Sequence, residues 1–137
     1  MISLTKQIIL DEIYVQLWFD QSSKLLVLDW KGRTSGEEYR NTYGHALAFA
    51  EQNKVDYFLS DIRDQQLSSS EEEKWFEEVV IPRAVMIGLK KAAVVFEGNL
   101  LKKYFLNNIL LKLKKYGLPF KFFTDDKEAL NWLTQAT

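Results

Sequence analysis

Val55-Asp56-Tyr57-Phe58-Leu59, then Ser68-Ser69-Ser70-Glu71-Glu72-Glu73 leading into Trp75, Phe76, Val79 and Val80, then Lys91-Ala92-Ala93-Val94-Val95-Phe96: this order decides the fold. The two apolar runs have the length and composition of buried strands, and the charged segment between them carries helix-starting residues followed by apolar ones. The stretch Val55 to Glu97 therefore predicts strand, crossover helix, strand. Such units are right-handed and place the loop after the first strand, here Asp61-Ile62-Arg63-Asp64, at the carboxyl edge of a parallel pair, where open α/β sheets bind their ligands. That loop is the expected functional edge.

The crossover helix has the strongest start signal in the chain. Three overlapping serine-to-glutamate capping patterns run from Ser68 to Glu73, and the glutamates suit the positive end of the helix dipole. Pro82 lacks an amide donor and clashes with the preceding turn, so the helix is expected to end or kink near Val80 to Ile81, with Gly88 closing the segment.

Upstream, Ile13 to Phe19 alternates, with Ile13, Val15, Leu17 and Phe19 on one side and Tyr14, Gln16 and Trp18 on the other, where Trp18 and Tyr14 are candidates to line a pocket. The polar turn Asp20-Gln21-Ser22-Ser23 and the run Lys24 to Trp30 make it a hairpin. Ile8-Ile9-Leu10 extends or precedes its first strand, with Asp11-Glu12 interrupting the pattern. Ser35-Gly36-Glu37-Glu38 matches a capping box, and Tyr39, Tyr43, Ala46, Leu47 and Ala50 give the following helix a core stripe, with Asn53 as its stop. Downstream, Asn99 caps a helix running to about Lys115, Phe120 to Phe123 is a last strand, and Asp125 with Glu128 opens a terminal helix carrying Ala129, Leu130 and Leu133.

The 137 residues fit one domain, 1–137, without repeat, linker or low-complexity tract. A content of 47% apolar and 14% aromatic residues is that of an ordered chain with a core. The absence of cysteine excludes disulfides, a thiolate nucleophile and cysteine-based zinc sites. No apolar run has the roughly 18 residues of a membrane span, and the first residues lack the order of a secretory signal, so a cytoplasmic protein without transmembrane segments is expected. Eighteen basic against nineteen acidic residues leave a net charge of −1, which gives no whole-molecule field for nucleic acid.

Four groups of residues carry chemistry worth weighing. Asp61, Arg63 and Asp64 form a candidate binding edge: Arg63 suits an anion and the carboxylates a hard cation, the alternative being that they pair with one another. His45, the single histidine, points away from the core stripe of its helix, so no catalytic residue is assigned. Leu100, Tyr104 and Leu111 fall together opposite an inner face of Leu101, Phe105, Ile109, Leu113 and Tyr116, and Lys103, Lys114 and Lys115 flank them. This strip is a candidate interface for a protein partner, a second copy of the chain or an acidic membrane surface. The tryptophans Trp18, Trp30, Trp75 and Trp132 lie on different elements, which argues packing and not a base-stacking platform.

The element order, together with Trp30-Lys31-Gly32, Glu38-Tyr39, Leu59-Ser60-Asp61-Ile62-Arg63, Trp75, Pro82, Gly88-Leu89-Lys90-Lys91-Ala92 and Ala129-Leu130-Asn131-Trp132-Leu133, resembles the small bacterial SpoIIAA-like proteins. That family belongs to the wider STAS group, which includes anti-sigma factor antagonists. The resemblance covers most of the chain and implies an α/β fold: a mixed β-sheet of about five strands with α-helices packed against it. In the antagonists a serine at the start of the helix after a central strand is phosphorylated by a partner kinase, and this switches binding. Ser68, Ser69 and Ser70 occupy that place and are the candidate phosphoacceptors, although the antagonists' Asp-Ser-x-Gly pattern is missing. Some related domains are compared with lipid-binding SEC14-like proteins, which makes a small apolar ligand the alternative. The expectation is a non-enzymatic cytoplasmic binding or regulatory module acting through a protein partner or self-association, without metal or cofactor. The alternative is a carrier or sensor of a small lipid-like ligand, held between the third helix and the sheet by Phe105 and Ile109.

Overall fold

Alternation in the first half of the chain builds a hairpin of β2 (Val15–Asp20) and β3 (Leu25–Gly32), antiparallel from Val15↔Trp30 to Asp20↔Leu25. The computed structural model describes residues 5–66 and 69–135. Val15, Leu17 and Phe19 face one side of the sheet and Trp18 the other, and all four are buried. Ile13 departs from the expected pattern: it precedes the strand in a turn and is 96% exposed. The Ile8-Ile9-Leu10 run is a strand of its own, β1 (Gln7–Asp11), paired antiparallel with β2. Among the described residues the sheet therefore has six strands where about five were expected, because an edge strand needs only one covered face and its apolar run can be short.

Ser35 starts α1 (Gly36–Gln52) with both bonds of the capping box present, and Asn53 ends it. Its stripe of Tyr39, Tyr43, Ala46 and Leu47 is buried against β2 and β3. β4 (Tyr57–Gln65) then runs parallel to β3. Asp61 to Asp64 lie inside this strand and not in a loop, which corrects the sequence reading. Backbone pairing with β3 carries the extension: Asp29 stands opposite Asp61, and after a bulge Lys31 stands opposite Asp64.

Of the two expectations at Pro82, an end or a kink near Val80 to Ile81, the helix does not end but becomes irregular just ahead of that point. α2 (Ser70–Trp75) passes into a wide turn over Phe76–Val80 and on into α3 (Ile81–Ile87), which Gly88 terminates in the left-handed conformation. Within that turn the Ile81 amide donates to the Phe76 carbonyl, five residues back. β5 (Lys91–Val95) is buried along its whole length, parallel to both β4 and β6 (Phe120–Phe123). Between them lies α4 (Leu100–Tyr116), capped by Asn99, and α5 (Asp126–Thr134), capped by Asp125, closes the described chain.

The strand order is sequential, β1-β2-β3-β4-β5-β6. One face carries α1, the α2–α3 helix and α4; the other packs Trp18, Leu25, Val27, Leu59, Ala93 and Val95 beneath Ala129 and Leu133 of α5. α4 is rotated from its expected phase. Lys102, Leu106, Ile109 and Leu113 point inward, while Leu101 and Tyr116, expected inside, are 67% and 52% exposed. No helix among the described residues is long and apolar enough to cross a membrane.

Candidate functional site

The carboxyl ends of β3 and β4 bring several charges together. Arg63 Nη2 donates to Asp61 Oδ2 at 2.7 Å, the Arg63 amide donates to Asp61 Oδ1 at 3.1 Å, and Asp126 at the start of α5 stands 3.8 Å from Arg63. Residues two apart share a strand face, so Asp61 and Arg63 are held as a pair by the pleat itself. Asp64 is exposed. Asp29, which sequence reasoning did not single out, joins this face: burial, then the neighbouring Asp61 charge, push its carboxyl above the usual range. Among the described residues no group of three or more His, Asp and Glu side chains is placed to hold a metal ion.

One strand further, Lys102 is buried beneath the sheet edge. Its ammonium donates to the Ile62 carbonyl at 2.7 Å and to Glu97 Oε2 at 2.8 Å, which compensates its removal from water. The bond to Ile62 ties α4 to β4.

Ser69 is the N-cap of α2, its hydroxyl accepting from the Glu72 amide at 3.3 Å, and Ser70 is the first helical residue; Ser68 lies outside the described residues. Glu72 does not reach back to close a capping box. Its carboxylate instead accepts from Arg40 Nε on α1 at 2.9 Å. Gly36 makes room for it, since a Cβ there would lie 2.5 Å from Glu72 Oε1. His45 is exposed, its Nδ1 2.9 Å from the Asn41 carbonyl of its own helix.

α4 presents Leu100, Tyr104 and Leu111 to solvent at 80%, 71% and 61% exposure, with Lys103, Lys114 and Lys115 also exposed. The helix has five lysines and no acidic residue. Lys112 is held by Glu77 of the wide turn at 2.7 Å.

Under the inner face of α4 lies an apolar cavity of about 110 Å³. Phe105 and Ile109 of α4, Ala84 of α3, Tyr43 of α1 and Ser60 of β4 are among its walls. Ser60 is 3% exposed, and its hydroxyl has no hydrogen-bond partner among the described residues. Burial pushes the Tyr43 phenol up, an effect reduced by its polar neighbours Ser60, Tyr39 and Trp30. Among the described residues, neither the Ser60 hydroxyl nor Trp30 Nε1 meets hydrogen-bond geometry with a partner, although both lie near the Tyr43 phenol. Ser60 was legible: alternation puts it on the buried face of Phe58 and Ile62, a lone hydroxyl in an apolar row. Trp18 and Tyr14 share no pocket, because Trp18 packs on the α5 side and Tyr14 against the α1 side.

No protein-family model matches the chain, and no curated protein is significantly similar to it. Among solved structures it is similar to an uncharacterised protein of the DUF3478 family, with a SpoIIAA-like fold, from Shewanella loihica PV-4. The identity is 21%, the TM-score 0.57, and the match covers 97% of this chain and 98% of that one. The chain thus has a SpoIIAA-like fold.

Proposed function

We propose that this protein is a non-enzymatic cytoplasmic module that binds a protein partner or a second copy of itself through the outer face of α4. The observation that carries this reading is the exposure of Leu100, Tyr104 and Leu111 in one strip beside lysines on a helix without acidic residues. Apolar side chains gain by leaving water, and the lysines favour an acidic rim on whatever covers them. The edge from Asp61 to Ser70 is the second contact region, and the serines at the start of α2 are its point of regulation. A phosphate on Ser69 would stand at a helix start, where free amides favour it, yet beside Glu72, where it would compete for Arg40. Intact mass of the protein from its native host is expected to carry phosphate on this segment, and its consistent absence removes the switch.

The contact itself is tested by placing a photo-crosslinking residue at Tyr104 in the native host. One discrete adduct, with a partner or a second copy, is expected, and Leu100→Glu with Leu111→Glu is expected to abolish it while the domain stays folded. No adduct, or one indifferent to both substitutions, overturns the reading. A second reading, carriage or sensing of a small apolar ligand, is favoured by the cavity beneath α4. A small molecule released on denaturing the native protein would support it.

A further inference from the structure

We infer that the cavity beneath α4 is a site for a compact, neutral, ring-sized molecule bearing one oxygen that accepts a hydrogen bond from Ser60. This deepens the ligand reading above and rests on it. Size sets the first limit. The cavity, about 110 Å³, is closest to the ~150 Å³ apolar cavities that take a benzene ring and falls below the ~300–1,000 Å³ of sites for larger ligands. A long acyl chain exceeds it.

Polarity sets the second limit. The walls from α1, α3, α4 and the sheet are almost wholly apolar, and no charged side chain among the described residues lines them. A carboxylate or ammonium would lose its hydration there without a counter-charge, so an ionised ligand is excluded.

The hydroxyl of Ser60 gives the third. A buried hydroxyl without a partner costs stability, and an apolar residue of the same size would remove that cost. Ser60 combines burial, a place in the cavity wall and, among the described residues, no partner at hydrogen-bond geometry. A ligand oxygen reaching it would complete its bonding, and the Tyr43 phenol stands beside it as a second polar group of the wall. Phenols, small cyclic ketones and compact alcohols have this chemistry.

The test compares three probes on the full-length protein by fluorine NMR: 4-fluorophenol, fluorobenzene and 4-fluorobenzoate. One neutral hydrogen bond corresponds to roughly a two- to tenfold difference in affinity. 4-Fluorophenol is expected to bind more tightly than fluorobenzene by about that factor, and 4-fluorobenzoate not to bind. Ser60→Ala is expected to equalise the two neutral probes without loss of folding. Ala84→Leu, or Ala50→Leu should the first variant fail to fold, is expected to displace both by filling the space. Equal binding of the neutral probes in the unsubstituted protein, blocked by the filling variant, would sink the oxygen-specific site and leave the apolar-ligand reading standing. Binding of neither, or binding indifferent to the filling variants, overturns both.

Discussion

Asp20 is a carboxylate with no exposed surface, and the turn of the first hairpin is built around it. It accepts hydrogen bonds from the amides of Thr5 at 3.0 Å and Ser23 at 3.1 Å and from the hydroxyls of Ser22 and Ser23. Burial alone would raise its carboxyl, but those bonds, Ser23 foremost, outweigh it and hold the group below its usual range. Asp20→Asn is therefore expected to cost about 1–3 kcal/mol in urea unfolding at neutral pH. Because the folded value is depressed, the contribution is fully present above the unfolded value of ~3.9 and is lost as pH falls through the folded one. The stability difference between wild type and Asp20→Asn should shrink in that acid window, and a constant difference would deny the carboxylate its role. The turn was legible in Asp20-Gln21-Ser22-Ser23; the burial of its first residue was not, because composition cannot say which polar group has its partners supplied. Lys102 teaches the same lesson more sharply. Hydropathy places a lysine outside, which pushed the expected inner face of α4 toward Leu101 and Tyr116. The Ile62 carbonyl and Glu97 reverse that placement, and neither partner is visible from the helix's own periodicity.

Elements reveal a different kind of gap, in which the disturbance is legible and its resolution is not. Pro82 announces a break, but Val80 and Ile81 beside it are both buried, so ending the helix there would uncover apolar surface on the sheet. Widening the turn ahead of the proline carries the helix past the missing donor while both side chains stay in place. At the start of the same helix, Ser68, Ser69 and Ser70 each satisfy the capping pattern, and sequence alone leaves them equivalent. Local geometry separates the two described serines: only Ser69 has the extended cap conformation and accepts from the Glu72 amide. Ser69→Ala is thus expected to lower stability by about 1 kcal/mol, with Ser70→Ala changing it by a few tenths at most. Thermal unfolding of the two variants side by side checks this, and equal losses would mean that the cap is shared. The candidate edge follows the same rule. Asp61, Arg63 and Asp64 were read from their residue types, but their place within a strand, with Asp29 alongside, depends on pairing with β3, which is a property of the sheet.

At the scale of the whole molecule, the two faces of the sheet are unequally covered, and this asymmetry has a testable consequence. α1, the α2–α3 helix and α4 share one face, while α5, nine residues long, covers the cluster on the other. The strands belong to both: Leu25, Val27 and Leu59 face α5, and Leu26, Leu28 and Ser60 face the opposite side from the same backbones. A chain organised as one domain cannot lose packing on one face without weakening the other, because the ladder between β3, β4 and β5 is common to both. Leu133 has no exposed surface. Leu133→Ala should cost about 2–5 kcal/mol, a large part of the ~5–15 kcal/mol typical of a folded chain. If residues 1–137 fold as a unit, amide exchange in Leu133→Ala will show α1 and α5 losing protection together, in one lowered cooperative transition. Loss of protection in α5 alone, with α1 keeping its wild-type value, would instead make α5 a separable cover over an independently stable sheet.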